Sequence, residues 1–317
     1  MKKKALSAAL AAAFVLTTAG SVLAAPVEFN GDVKLHYRWE TQTDRDDTSG
    51  GKLWFRLNAK TEVAENVDAF ARFASQHLSN DKIGADFDQN RYNKSSATSI
   101  DRFGFIVKGK DFNYTIGRQG VTLGGLALLY STDGYMGENM GAIDGVTVTG
   151  KSGVTNIKAV AGEVWQEGDN DKLYALDASY SPAKDLTVGA TLMRATVGDD
   201  NNYWGVNTAY TTGKATWLAE YSKANSDEGD KAYAYGVSYA FDSKNSAYTF
   251  YSYAGSAYPW TDFDGNMKGM YYGVTHKINK DYTFDLFYKD MKYIDGTADV
   301  NAGDNKTSFR TTVTYKF

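Results

Sequence analysis

The chain has 317 residues and a formal net charge of −4, with 23 tyrosines, 31 glycines, three prolines and no cysteine. The lack of cysteine excludes a disulfide framework, a thiolate nucleophile and a cysteine metal site. The weakly acidic balance argues against nucleic acid as a partner, and the abundance of tyrosine favours many short strands over helices.

Residues 1–24 have the three parts of a secretory signal peptide. Lys2–Lys4 are basic, Ala5–Gly20 form an apolar run, and Val22-Leu23-Ala24 carries small residues suited to cleavage before Ala25. An uncleaved N-terminal anchor is the alternative, but the run is short for a spanning helix, and no later stretch approaches the roughly 18 apolar residues such a helix needs. We therefore expect a signal peptide at 1–24 and one domain at 25–317.

From residue 27 onward, short segments with alternating apolar and polar residues follow one another. In the first of them, Val33 and Leu35 alternate with Lys34 and His36, and a period of two places the two sets on opposite faces of a strand. The alternation is weak in 154–165 and 246–254, so fourteen strands are the alternative to sixteen. The predicted strands are 27–40, 52–63, 67–78, 99–108, 112–118, 143–149, 154–165, 172–180, 186–197, 203–211, 214–222, 232–241, 246–254, 268–278, 282–292 and 307–317.

The predicted connections alternate in length. Tight turns such as 64–66 and 279–281 are interleaved with longer loops such as 41–51 and 119–142. Short turns on one side and long loops on the other are typical of outer-membrane barrels, whose short turns are periplasmic. A soluble β-sandwich is the alternative, but it would bury many tyrosine hydroxyls that need partners. We therefore predict an all-β fold, a transmembrane antiparallel β-barrel of sixteen strands.

The first and last predicted strands are suited to closing this barrel. In 307–317, Phe309, Val313 and Phe317 alternate with polar residues, as the apolar residues of 27–40 do. An unpaired strand edge exposes backbone groups that promote aggregation. Pairing of these two strands would leave the sheet without an edge, and we expect this pairing.

The connection after the fifth strand is unusually apolar for a loop. Residues 120–141 include Val121, Leu123 and the run Leu126–Tyr130. Exposed loops are rarely so apolar. We therefore expect this third loop to pack against another part of the protein.

With these features the chain resembles the general porins of Gram-negative outer membranes. The resemblance rests on Gly117-Arg118-Gln119 at a strand end, the long third loop, the terminal aromatic Phe317, and Tyr272–Lys277, which is similar to a porin strand end. It implies that the third loop folds into the barrel and narrows the pore. It also implies a homotrimer, and a role for Phe317 as the signal that the barrel-assembly machinery recognises.

Strand parity independently predicts a basic lumen on the first four strands. The third loop contains no Lys or Arg but does contain Asp133 and Glu138. A basic wall that faces an acidic loop would create a transverse field across a narrow aperture, and passing solutes would have to orient their dipoles. The alternative is that these are ordinary charges in a water-filled barrel. The predicted inward-facing basic residues are Lys34, Arg38, Arg56, Lys60, Arg72, Arg102 and Lys108, and the first six of them are assigned to the constriction.

Arg118 is assigned to the same constriction on different grounds. Strand parity places Arg118 outward with Tyr114 and Ile116, unless a bulge intervenes. Its inward position is therefore implied only by the resemblance to porins.

One stretch suggests an enzyme instead. His77-Leu78-Ser79-Asn80 is similar to the His-x-Ser-Asn stretch of outer-membrane phospholipases. Parity places His77 and Ser79 on the outer face, and a base beside a hydroxyl is the minimum for nucleophilic catalysis. However, Asp81 stands where those enzymes have glycine, and their barrels have fewer strands. Phospholipase activity is kept as an alternative only.

Several predicted loops are acidic, for example at 44–47 and 227–230. Such clusters suit divalent ions that bridge lipopolysaccharide phosphates, but a solvated surface is the commoner explanation. None has the spacing of an ordered calcium loop.

These patterns together predict an outer-membrane porin that lets small hydrophilic solutes and ions diffuse passively. No cofactor, no metal and no enzymatic activity are expected. The expected partners are outer-membrane lipid and lipopolysaccharide, the barrel-assembly machinery, and identical copies in a homotrimer. A substrate-selective channel of the same architecture is the alternative.

Overall fold

The computed structural model describes residues 25–79, 96–132, 134–137, 141–165, 171–197, 200–258 and 260–317. Among these residues, no helix has the length and apolarity needed to cross a membrane. The strands form one closed barrel, and neighbouring strands run antiparallel.

The barrel wall consists of sixteen strands in sequence order, and two further short strands, β6 and β7, pair within the third loop. This confirms the predicted fold class and strand number. The strands are β1 (Glu28–Gln42), β2 (Arg45–Ala64), β3 (Val67–Leu78), β4 (Ser96–Lys108), β5 (Phe112–Gln119), β6 (Thr122–Leu123), β7 (Tyr130–Ser131), β8 (Ile143–Ser152), β9 (Thr155–Val164), β10 (Lys172–Ala183), β11 (Leu186–Ala195), β12 (Asn201–Thr212), β13 (Ala215–Ala224), β14 (Lys231–Ala240), β15 (Asn245–Ala254), β16 (Met267–Lys277), β17 (Tyr282–Tyr293) and β18 (Asn305–Lys316).

Pairing of β1 with β18 closes the barrel, as predicted. Val33 lies opposite Tyr315 and Leu35 opposite Val313. Beyond the last residue of β18, the backbone N–H of Gly31 donates to the carbonyl of Phe317 (3.1 Å), and the N–H of Phe317 donates back to Gly31 (3.2 Å). Every strand of the wall therefore has two neighbours, which removes the exposed edge that a sheet would otherwise have.

The two weakly patterned segments, β9 and β15, are wall strands. Their alternation is blurred because their inward-facing residues are not all polar. Val160 and Val164 of β9 are buried against the third loop, and Phe250 of β15 packs on an inner cluster with Tyr271. An apolar inner face hides the period of two on which strand prediction depends.

The predicted loop at 41–51 is wrong. β1 and β2 continue past the predicted strand ends and join in a tight turn at Thr43-Asp44. Trp39 pairs with Ser49 and Glu40 with Thr48 in this extension. The polar composition of the segment indicated a loop. However, the hydrogen bonds between paired strands come from the backbone, so a hairpin can continue through polar residues where neither face is buried.

The outer wall is apolar and aromatic. Leu35, Phe105, Trp204 and Tyr235 are all more than two-fifths exposed there, as side chains that face lipid would be. The main buried core lies inside the barrel, around the third loop.

Candidate functional site

The described residues of the third loop, 120–132, 134–137 and 141–142, fold into the barrel. Its side chains Leu123 and Leu128 are completely buried and share one cluster with inward-facing residues of β8–β15, including Leu173 and Tyr203. Burial of this apolar surface is the main force that holds the loop in the lumen. The prediction that the loop packs against another part of the protein is confirmed.

Two arginines of the predicted basic wall fasten the returning half of the loop. Arg72 forms two hydrogen bonds to the carboxylate of Asp101, at 2.8 and 2.6 Å, and donates a third to the carbonyl of Tyr135 at 2.8 Å. Arg102 donates to the carbonyl of Thr132 at 2.8 Å. These guanidinium groups therefore hold the loop in place.

A β-bulge in β4 makes this arrangement. The register between β3 and β4 shifts between Arg72 and Phe73, so Asp101 is an extra residue beside Arg102. A bulge re-aims side chains, and here Asp101 points inward, where it also accepts a hydrogen bond from the N–H of Gly137 (2.9 Å). Strand parity would place Asp101 on the outer face, so sequence reasoning missed it.

Lys158 and Glu220 hold the first half of the loop against the opposite wall. The Lys158 ammonium donates to the carbonyl of Thr122 (2.8 Å). The Glu220 carboxylate, in a residue only 3% exposed, accepts from the N–H of Leu126 (2.5 Å). Gly124 has a φ of +88°, and a Cβ atom there would clash with this carboxylate, so glycine allows the close approach.

Residues 255–258 and 260–266, between β15 and β16, belong to a second loop that contacts the third loop. The N–H of Ser131 donates to the carbonyl of Trp260 (2.5 Å). Asp264 of the same segment accepts two hydrogen bonds from the Lys289 ammonium on β17, at 2.6 and 2.7 Å. The third loop is therefore enclosed by the wall and by a loop that is itself tied to the wall.

The other predicted basic residues lie on the inner face of the first two strands and have acidic neighbours. Arg56 binds the carboxylate of Asp32 through two hydrogen bonds, at 2.7 and 3.0 Å, and Lys34 lies 3.8 Å from the same carboxylate. Arg38 is paired with Glu40. The role of these residues in a constriction stays a prediction.

A cavity of about 530 Å³ lies beside the third loop. Lys60, Arg72 and Arg102 line it on the side of β2–β4, and Gln119 and Lys158 on the other side. Three predicted basic residues therefore line one cavity, and Val121 and Thr122 of the third loop form part of its wall.

The inward position implied for Arg118 is wrong. β5 pairs regularly with β4 and β8, without a bulge. Thr115 and Gln119 line the inner cavity, so Arg118 lies on the opposite face of the strand. There it forms two hydrogen bonds to Asp144, at 2.7 and 2.6 Å, and stacks on the ring of Trp165 at 3.5 Å. Strand parity, which depends on backbone geometry alone, was the better guide here.

The signal peptide at 1–24, Asp133 and Glu138 lie outside the described residues, as do Asn80 and Asp81 of the phospholipase-like stretch. The opposition of a basic wall and an acidic loop therefore stays a prediction. Within the described ranges, no cluster of three or more histidine or carboxylate side chains is arranged to hold a metal ion.

Basic residues of β17 and β18 also face the lumen. The predicted basic wall stops at the fourth strand, although the same parity marks Lys289, Lys306 and Arg310 as inward. Lys306 lies 3.1 Å from Glu40, across the closing pair of strands. Closure of the barrel therefore extends the basic wall from β1 onto β18 and β17.

The side chains that the phospholipase alternative requires are not paired with each other. Nδ1 of His77 lies 2.7 Å from the hydroxyl of Ser96. The hydroxyl of Ser79 accepts a hydrogen bond from the N–H of Gly51 (2.7 Å). The minimum dyad predicted from the sequence is therefore not formed.

Comparison with known proteins places this architecture among solved bacterial barrels. No family model and no curated protein sequence matches the chain. A triple mutant of the Rhodopseudomonas blastica porin is similar in structure, with 15% identity, a TM-score of 0.61, and coverage of 92% of this chain and 100% of that one. OmpT, an outer membrane protein of Vibrio cholerae solved in a trimer form, has 19% identity and a TM-score of 0.60, with 93% and 100% coverage. The chain has the fold of a porin-like β-barrel.

Proposed function

We propose that this protein is an outer-membrane porin, a water-filled channel through which small hydrophilic solutes and ions diffuse passively. The observation that carries the proposal is the third loop, which is held inside a closed barrel by Arg72, Arg102, Lys158 and Glu220. A loop anchored on opposite walls narrows the lumen without filling it, since a cavity lined by charged residues remains beside it.

The charges of the narrowed region would select among solutes. Near walls of low dielectric constant, fields are poorly screened, so a charged ring at the aperture controls which ions enter. Transport needs no cofactor and no energy source in this proposal, and the protein is not an enzyme.

The proposal includes a place in the cell. Residues 1–24 direct export and are removed, the barrel spans the outer membrane, and three copies associate. Phe317 is recognised by the barrel-assembly machinery. The outer wall contacts lipid and lipopolysaccharide.

Single-channel recording of the refolded protein in a planar bilayer tests the channel. We expect stepwise, ohmic openings in groups of three, and a reversal potential in a salt gradient that shifts in the Arg56→Ala and Arg72→Ala variants. Persistent absence of openings from a barrel that is demonstrably inserted would contradict the proposal.

A substrate-selective channel is the second candidate, because basic residues also extend over β17 and β18. Flux measured over a range of solute concentrations separates the two. A linear rise supports a general pore, whereas saturation at low concentration supports a selective one.

A further inference from the structure

Two arginines face each other across the strands that close the barrel. Arg38 of β1 and Arg310 of β18 are direct cross-strand partners. The Arg310 guanidinium stacks on the ring of Phe287 at 3.8 Å, and among the described residues no carboxylate lies within ion-pair distance of it. Like charges directly opposite each other destabilise a sheet. Glu40 offsets the charge of Arg38, whereas the charge of Arg310 is not offset by an ion pair within the described residues, so the pair keeps an electrostatic cost.

The neighbourhood of the pair is also basic. Lys52 and Lys306 lie on the same inner face, on β2 and β18. Within the described residues, the carboxylate in ion-pair contact with this group is Glu40, which is shared between Arg38 and Lys306. The nearby carboxylate of Asp264 is bound by Lys289. Arg38, Arg310 and Lys306 therefore share one bound carboxylate, and an additional anion would be stabilised by the field of the cluster.

Hydrogen-bond donors beside the pair have no partner. Nε of Arg38, Nε2 of Gln42 and Oγ of Ser308 are buried, and none has a hydrogen-bond partner among the described residues. On the same inner face of these two strands, the next two cross-strand pairs after the arginines are Glu40 with Ser308 and Gln42 with Lys306. Buried polar groups are normally paired. These unpaired donors lie beside the Arg310 guanidinium, which has no ion-pair partner among the described residues, and together they suit a ligand rich in acceptor oxygens.

The position of the arginine pair differs from that of the loop anchors. The anchoring contacts of the third loop involve β3, β4, β9 and β13, whereas Arg38 and Arg310 lie on β1 and β18. A solute that passes the loop would therefore meet this pair on a different part of the wall.

We propose that Arg38 and Arg310 form a lumenal binding site for small oxyanions, solutes that carry a phosphate or carboxylate group. A guanidinium presents a planar fork of donors that matches such groups. The site rests on the proposed function and deepens it: the channel prefers anions, and phosphate-bearing or carboxylate-bearing solutes bind in transit.

Inorganic phosphate is the probe, and two measurements on the refolded protein test the site. Isothermal titration calorimetry in detergent reads binding whether or not the barrel conducts. Planar-bilayer recording in potassium chloride reads ion preference and block by added phosphate. We expect saturable phosphate binding and block, and a reversal potential on the anion-preferring side. Glucose, a neutral solute, should bind and block at least tenfold more weakly.

Substitutions of Arg310 distinguish specific binding of phosphate by the guanidinium from attraction by the overall positive charge of the lumen. Arg310→Gln should weaken phosphate binding and block at least tenfold and shift the reversal potential toward cations. Arg310→Lys should keep the ion preference but bind phosphate more weakly than wild type, because the fork is lost. Lys316→Gln is the matched control: it removes the same charge from the same strand and, by parity, the same face, near the periplasmic turn.

Two results would contradict the proposed oxyanion site. Wild-type protein that neither binds phosphate calorimetrically nor shows saturable block would refute it, as would equal losses of phosphate binding in Arg310→Gln and Lys316→Gln. Heat-modifiable gel mobility confirms folding of each variant. Phosphate binding that depends on Arg310, in a barrel that never conducts, would support the site and contradict the channel.

Discussion

Asp264 shows how one side chain secures a whole loop. Its carboxylate accepts hydrogen bonds from Lys289 and from the hydroxyl of Tyr271. Burial by itself would raise the pKa of Asp264, but the nearby Lys289 ammonium and these hydrogen bonds hold that pKa well below its usual range. A lowered pKa means that the folded protein binds the proton less tightly than the unfolded chain does.

The lowered pKa predicts the pH dependence of this link. Its contribution to stability is complete above the ordinary aspartate pKa of about 3.8 and is lost only as the pH falls through the lowered value. We therefore expect protease sensitivity of residues 255–266 to be equal at pH 7 and pH 5. Asp264→Asn should increase it at both pH values, because Lys289 is left buried without its charge partner, at a cost of roughly 1–3 kcal/mol.

Asp227→Asn, in an exposed loop between β13 and β14, is the control for this prediction. It should leave cleavage at 255–266 unchanged. If cleavage of the wild-type protein increases between pH 7 and pH 5, the Asp264–Lys289 ion pair is lost at a higher pH than the lowered pKa of Asp264 allows. That result would contradict the prediction.

At the scale of elements, the third loop depends on an ion pair that is itself buried. Arg72 and Asp101 are 6% and 2% exposed, and both also contact the loop backbone. Arg72→Ala should lower the free energy of unfolding by about 3–5 kcal/mol, because it leaves a buried carboxylate without its charge partner. We expect a lower thermal midpoint and a larger, noisier single-channel conductance as the loop detaches.

The double variant Arg72→Ala/Asp101→Ala distinguishes charge burial from simple loss of contacts. It should recover part of the stability, since neither charge then remains. Arg56→Ala should cost less than Arg72→Ala, because Asp32 keeps Lys34 at 3.8 Å. Equal losses of unfolding free energy in Arg56→Ala and Arg72→Ala would contradict a special role for the Arg72–Asp101 pair at the loop.

At the scale of the whole molecule, the contacts of Phe317 can be separated from its proposed role as an assembly signal. Its backbone bonds with Gly31 extend the closing pair of strands, and its ring lies 6.3 Å from the ring of Phe55. Phe317→Ala keeps the backbone bonds, so we expect nearly normal refolding in detergent. In cells, loss of the proposed assembly signal should lower the amount of protein in the outer membrane severalfold.

Tyr315→Ala is the matched change for that comparison. It removes another aromatic ring from the same face of β18, one that stacks on Tyr282 at 4.7 Å. If both variants reach the outer membrane equally well, Phe317 carries no special signal.

The outer wall carries one feature that bears on association of copies. Arg118 and Asp144 form an ion pair there, and charged side chains are costly against lipid. We expect this pair to lie between subunits, where protein groups replace lipid. Arg118→Ala should therefore convert trimers to monomers more readily than Arg194→Ala, a change at an outward pair on β11 that is about half exposed. Gel mobility without heating measures this, and identical trimer melting in both variants would contradict it.

The amino-acid sequence by itself determined the strand number and the closure of β1 on β18, and it determined the alternation of turns and loops except at the first connection, where a tight turn replaces the predicted loop. These follow from a period of two, which is a local property of extended backbone and is required wherever one face meets lipid and the other meets water. The apolar run in the third loop likewise predicted its burial, because exposed loops rarely carry such side chains.

Only the tertiary structure decided which charges meet. A single extra residue in β4 turns Asp101 inward to Arg72, and no periodic pattern marks a bulge in advance. Glu220 meets the third loop 94 positions away in sequence, and Arg310 meets Arg38 only because the barrel closes. Pairings of this kind depend on how distant strands are brought together, and local sequence patterns carry no information about that.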